Sequence, residues 1–106
     1  NAARIICKFI LDNPSHFGIY HFTDKGNYSW CDFSNLVQDI ASQIGLIHNK
    51  IHINGISSEQ LNSPAVRPQN GLLNCDLFEQ TSGYSMKSCE DSVYIMLSKA
   101  KELDLI

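Results

Sequence analysis

The chain has 106 residues, 43% of them hydrophobic, and a formal net charge of −3. That is room for one domain with a modest core, and the charge gives no reason to expect nucleic acid or an anionic membrane as partner. No apolar run approaches the roughly 20 residues of a membrane span, and the opening residues lack the basic-then-apolar order of a signal peptide.

The chain begins Asn-Ala rather than Met. Residues 1–2 read as the remnant of a cleaved expression tag, and residues 3–106 as a piece cut from a longer protein. Ala3, Ile6, Cys7, Ile10 and Leu11 are spaced for one face of a first helix, which Asn13-Pro14 must end. Ile19, Tyr20, His21 and Phe22 alternate and favour extended backbone, so they predict a half-buried strand. Thr23 to Asn27 is turn chemistry. Ser29 then stands three residues before Asp32, the spacing of a capping box, and Tyr28 and Phe33 hold the positions of a hydrophobic staple.

Phe33, Leu36, Val37, Ile40, Ala41 and Ile44 make one apolar helix face; Gly45 is a left-handed stop, and Leu46 can fold back onto that face. Lys50 to Ile56 alternates again and predicts a second strand. Strand, helix and strand form a βαβ unit, with parallel strands and a right-handed crossover. Ser57 to Leu61 suits a single helical turn, broken by Asn62-Ser63-Pro64, and Leu72-Leu73 a short extended piece. Asn74 is placed to cap a brief helix over residues 75–80, closed by Thr81-Ser82-Gly83. Ser88 and Asp91 repeat the capping spacing, and Val93, Met96, Leu97, Ala100 and Leu103 give a last helix its apolar face.

The expected fold is therefore α/β: a small lobe containing a βαβ unit, its sparse parallel sheet covered by helices. Two or three strands are too few to stand alone. Such a lobe needs another surface against it, which predicts an exposed apolar patch or self-association.

Cys7, Cys31, Cys75 and Cys89 are at least fourteen positions apart and read as free thiols, in preference to a disulfide framework or a zinc site. His48 and His52 are four apart, but on loop and strand, where that spacing does not converge on a metal. Trp30 could offer a stacking platform, yet its place beside a helix cap favours packing. Tyr20 and His21 read as packing and lining residues, and Lys99 and Lys101 as a solvated face complementing the helix dipole.

The run from Tyr20 to Ala41, YHFTDKGNYSWCDFSNLVQDIA, resembles the carboxy-terminal part of the dTDP-4-dehydrorhamnose reductase family, where a Tyr-His strand leads through a Gly turn into Ser-Trp-x-x-Phe. Arg67-Pro68-Gln69-Asn70-Gly71-Leu72-Leu73-Asn74 resembles that family's Arg-Pro-x-Asn-Ser-x-Leu-Asp stretch. Together the blocks cover most of the chain, and neither carries catalytic chemistry.

The resemblance implies the substrate-binding part of a Rossmann-type extended short-chain dehydrogenase, a cytoplasmic oxidoreductase. The whole enzyme would use NADPH to reduce the 4-keto group of dTDP-4-dehydro-L-rhamnose to dTDP-L-rhamnose. An amino-terminal Rossmann domain, missing here, would bring the cofactor and a catalytic Tyr-x-x-x-Lys pair. Non-catalytic relatives such as the regulatory β subunit of methionine adenosyltransferase share the scaffold, as do other nucleotide-sugar epimerases and dehydratases.

Arg67 is one of two arginines, fixed before Pro68 in a loop. Its guanidinium can grip a phosphate through two parallel hydrogen bonds, or pair with a local carboxylate. The resemblance favours the first role and implies Arg67 as the anchor for the substrate's diphosphate, with Asn70 as a neighbouring contact. Gly71 departs from the family's serine, so a contact through that hydroxyl does not carry over.

A Gly-rich phosphate turn is absent from the sequence. Tyr84 and Lys87 have one residue too few between them for Tyr-x-x-x-Lys, and Tyr94 and Lys99 one too many. The isolated chain is therefore expected to bind and not to reduce.

Overall fold

The computed structural model describes residues 2–65 and 68–105. Five helices run along it: α1 (Ala2–Asp12), α2 (Trp30–Gln43), α3 (Ser58–Leu61), α4 (Asp76–Ser82) and α5 (Cys89–Glu102). The described residues gather into two compact units. One holds the chain up to Asp24 together with Leu72–Met86; the other holds Lys25–Gly71 and the chain from Lys87 onward.

In the second unit α2 packs on α5. Ile40 and Ala41 bury against Val93 and Leu97, and Phe33, Leu36, Val37, Ile44, Leu46, Ile47 and Cys89 close around them. The apolar face read from the sequence is thus the buried one. Both ends of α2 form as their residues dictate. Ser29 Oγ accepts the Asp32 N–H at 3.1 Å while Asp32 Oδ2 accepts the Ser29 N–H at 3.1 Å, a complete capping box. At the other end Gly45 takes φ 71°, its N–H donates to Ser42 O, and the Leu46 N–H reaches Ala41 O at 2.8 Å. That is a Schellman stop, with Leu46 folded onto the core.

On α5 the expected face is only partly buried. Val93 and Leu97 are in the core and Ala100 is half-buried, but Met96 and Leu103 are exposed. Ser88 Oγ caps the helix through the Asp91 N–H at 3.0 Å.

The first unit is built on aromatic rings. Phe78, from α4, is buried; Phe9 lies 4.8 Å from it, Phe22 5.3 Å and Tyr20 6.4 Å, centroid to centroid. Met86 is buried too, and its N–H donates to Glu79 Oε1 at 2.6 Å. Gly83 ends α4 at φ 67°. Asn74 caps that helix from just outside it, its Oδ1 accepting the Asp76 N–H at 2.8 Å, so α4 starts one residue later than expected.

Three expectations are not met as stated. The sparse parallel sheet of the expected α/β fold is not confirmed: among the described residues there is no strand, only one isolated parallel bridge between Lys25 and Ser88. Residues 19–22 keep their alternation, with Tyr20 and Phe22 half-buried and Ile19 and His21 exposed. Lys50–Ile56 is held by side chains of α2 instead of a ladder: Lys50 Nζ sits 2.8 Å from Asp39 Oδ1, and the Ile51 N–H donates to Gln38 Oε1 at 3.1 Å. A strand exists only when a neighbour supplies the lateral hydrogen bonds. The two segments fall in different units, and neither has such a neighbour among the described residues.

α1 turns a different face inward. Ile5 and Phe9 are its half-buried residues, while Ala3, Ile6, Cys7, Ile10 and Leu11 are exposed. Its polar side chains fill one stripe, Arg4, Lys8 and Asp12, leaving two apolar sides of which the aromatic cluster covers one. The staple is also displaced: Tyr28 sends its hydroxyl to Glu90, and Trp30 meets Phe33 edge-on at 6.2 Å.

Leu97→Ala should cost about 2–5 kcal/mol in urea unfolding, since it empties a buried site, whereas Leu103→Ala, on the same sequence face, should stay within about 0.5 kcal/mol. Gly26→Ala should also destabilise: Gly26 has φ 133°, and an added Cβ would run into the Tyr28 ring.

Candidate functional site

Asn70 and Gly71 lie in an exposed, irregular stretch between α3 and α4. Upstream, Ser57 and Gln60 form a capping box on the single turn of α3, and Asn62 ends that turn in the left-handed region at φ 46°. Pro68, Gln69, Asn70 and Gly71 are all exposed. Among the described residues a Cβ at Gly71 would meet nothing within 4 Å, so no side chain of theirs fills the place of the missing hydroxyl. Arg67, the expected diphosphate anchor, lies outside the described residues, as does Val66.

The other candidate residues are not gathered into one site. Trp30 remains 75% exposed apart from its contact with Phe33, so it is neither buried in the core nor paired with a second ring in a stack. His48 and His52 are exposed and lie outside the helices. Among the described residues no group of three His, Cys, Asp or Glu side chains is placed to hold a metal ion. All four cysteines are free; Cys7 is exposed and the others half-buried. Lys101 does more than solvate a surface: its Nζ donates to Ile44 O at 2.6 Å, supplying a cation to the carbonyl end of α2.

An open cavity of about 370 Å³ in the second unit is lined by Leu36, Asp39, Ile40, Glu90, Asp91 and Tyr94, among others. It has three carboxylates and no cation on its wall. That lining repels a diphosphate, so the cavity is not where a nucleotide sugar would place its charge. At its rim the Tyr28 hydroxyl donates to Glu90 Oε1. The hydrogen bond to Glu90 pushes the Tyr28 pKa from 10.0 up to about 12, and the same bond holds the Glu90 carboxyl below its ordinary value. Hydrogen bonds from the Ser29 side chain and backbone do the same to Asp32.

The chain matches the RmlD substrate binding domain family over residues 2–102, and it belongs to that family. Proteins named dTDP-4-dehydrorhamnose reductase are similar to it. That of Sinorhizobium fredii is 33% identical over 89 residues, covering 80% of this chain and 29% of the relative. Those of Salmonella typhimurium and Escherichia coli are 29% and 28% identical, each match covering 84% of this chain and 30% of the relative. The chain thus spans about 30% of the length of the curated relatives it matches, in their carboxy-terminal part. No solved structure matches it.

The NADPH implied for a whole reductase does not fit the described residues. A pyrophosphate needs free N–H groups at a helix start and no carboxylates beside them. α2 and α5 are closed by Ser29 and Ser88, and acidic residues stand in the first turns of both and of α4.

Tyrosine titration followed by absorbance should show one of the four tyrosines ionising near pH 12, and Tyr28→Phe should remove that component. The sign of the stability effects differs at the two ends of the scale. Tyr28, with its folded pKa raised, contributes stability below pH 10 that is lost as pH rises through about 12. Asp32 and Glu90, with folded pKa values lowered, contribute stability above their unfolded values, lost as pH falls through the folded ones. Replacing either by its amide should flatten the acid limb of a stability–pH profile.

Proposed function

We propose that residues 3–106 form the dTDP-sugar-binding portion of a dTDP-4-dehydrorhamnose reductase. The whole enzyme would reduce the 4-keto group of dTDP-4-dehydro-L-rhamnose with NADPH to give dTDP-L-rhamnose. The observation that carries this reading is family membership over residues 2–102, joined to relatives of that name. NADPH and the Tyr-x-x-x-Lys pair would belong to an amino-terminal Rossmann domain. This agrees with a chain that has no Gly-rich turn and whose helix starts are already filled.

Within this portion Arg67 would grip the diphosphate through two parallel hydrogen bonds, with Asn70 beside it. The exposure of Pro68, Gln69, Asn70 and Gly71 supports that role. Phe17 and Ile19 are 91% and 85% exposed, and one apolar side of α1 is uncovered. A Rossmann domain would cover such side chains, and the isolated chain would use them to self-associate. No helix among the described residues is long and apolar enough to cross a membrane, which is compatible with a cytoplasmic enzyme.

Titrating the full-length enzyme with dTDP-rhamnose in a calorimeter tests the assignment. Arg67→Lys should weaken binding about tenfold, the loss of one charge-assisted hydrogen bond of about 1.5 kcal/mol, while Arg4→Lys leaves it unchanged. Equal effects of the two substitutions would refute the diphosphate role.

A further inference from the structure

Asparagine followed by glycine occurs twice in the chain, at Asn54-Gly55 and Asn70-Gly71. Glycine has no Cβ, so its amide nitrogen can approach the preceding carboxamide more freely than that of any other residue. Whether it reacts there depends on what holds the pair. The side chains of Asn13, Asn35 and Asn74 are committed to hydrogen bonds, with Phe9 O, Cys31 O and the Asp76 N–H. Asn70 has a partner as well. Asn54 differs: it is exposed, it lies outside the helices, and its side chain makes no hydrogen bond among the described residues. The side-chain hydrogen bonds on either side of it belong to the Ile51 and Ser57 N–H groups. The Gly55 N–H donates to no acceptor among the described residues, so no bond must break before it moves.

Gly55 also touches α2, since a Cβ there would lie 3.3 Å from Cys31 Sγ. Upstream, Lys50 and Ile51 are tied to Asp39 and Gln38 of the same helix. Asn54 thus stands between two points at which its segment meets α2, and a change of main-chain length there acts on the second.

We propose that Asn54 is a self-modification site whose product loosens Gly55 from the start of α2. The Gly55 nitrogen gives its proton to water and bonds to Asn54 Cγ; the Cγ–Nδ2 bond breaks, and ammonia leaves with a proton returned by water. One water molecule then opens the five-membered imide. Attack at Cγ restores the ordinary backbone and leaves an aspartate. Attack at the main-chain carbonyl carbon leaves an isoaspartate, whose backbone runs through Cγ and is longer by one bond of about 1.5 Å. One water is consumed, one ammonia is released, and a carboxylate replaces the carboxamide.

Peptide mapping by mass spectrometry, on the 106-residue chain aged at mildly alkaline pH, tests it. Conversion at Asn54 should be at least about fivefold faster than at Asn70, and unfolding in urea should close that gap, because only the folded chain treats the two pairs differently. Equal rates in the folded chain, or a faster Asn70, would overturn the proposal. Thiol alkylation is followed on the same samples. As the isoaspartyl form accumulates, the half-buried Cys31 should react at least about threefold faster, while the exposed Cys7 should not change. A constant Cys31 rate would remove the loosening. Asn54→Gln, an exposed substitution whose longer side chain disfavours the ring, should abolish both changes; a rise at Cys31 in that variant would likewise overturn the assignment.

Discussion

The packing of α2 on α5 is the contact on which the second unit depends. Its middle is apolar, with Ile40 and Ala41 against Val93 and Leu97, and its two ends are pinned by polar groups. At one end the Lys25 backbone bridges Lys87 and Cys89, and Tyr28 holds Glu90; at the other Lys101 donates to the Ile44 carbonyl just past the end of α2. Each exposed pin adds little energy alone. Their value is geometric, because they fix the rotation of α2 and so decide which of its side chains face Lys50–Ile56.

The first unit solves the same problem with rings. Phe78 and Met86 are its buried residues, and Phe9, Tyr20 and Phe22 surround the phenyl group. Units this small bury a limited share of their surface, so apolar side chains are left outside. The uncovered side of α1, with Ile6, Cys7 and Ile10, is the clearest case. A helix apolar on two sides is built to be covered on both.

What could be read in the sequence was local. The ends of α2 follow from Ser29, Asp32 and Gly45, residues whose partners are three to five positions away, and the helix face follows from a period. The strands could not be settled that way: alternation at 19–22 and 50–56 marks extended chain, but a ladder needs a neighbour that no local pattern supplies. For α1 the period allows two apolar sides, and the rings of Tyr20 and the distant Phe78 decide that Phe9 points inward. Tyr28 with Glu90 and Lys101 with Ile44 join residues 62 and 57 positions apart, beyond the reach of any motif. In the candidate site, Arg67 was singled out by its loop and by resemblance, and it lies outside the described residues. The cavity beside α5 had no sequence signal, because its lining comes from two helices.

Trp30 is the chain's single tryptophan, and it stands at the first position of α2, mostly in water. An indole in that setting already emits at long wavelength in the native state. Loss of structure in the isolated chain would therefore barely shift its fluorescence maximum, while a partner surface closing over the start of α2 would move it to the blue. The residue is thus a built-in optical label for coverage, and a poor one for folding.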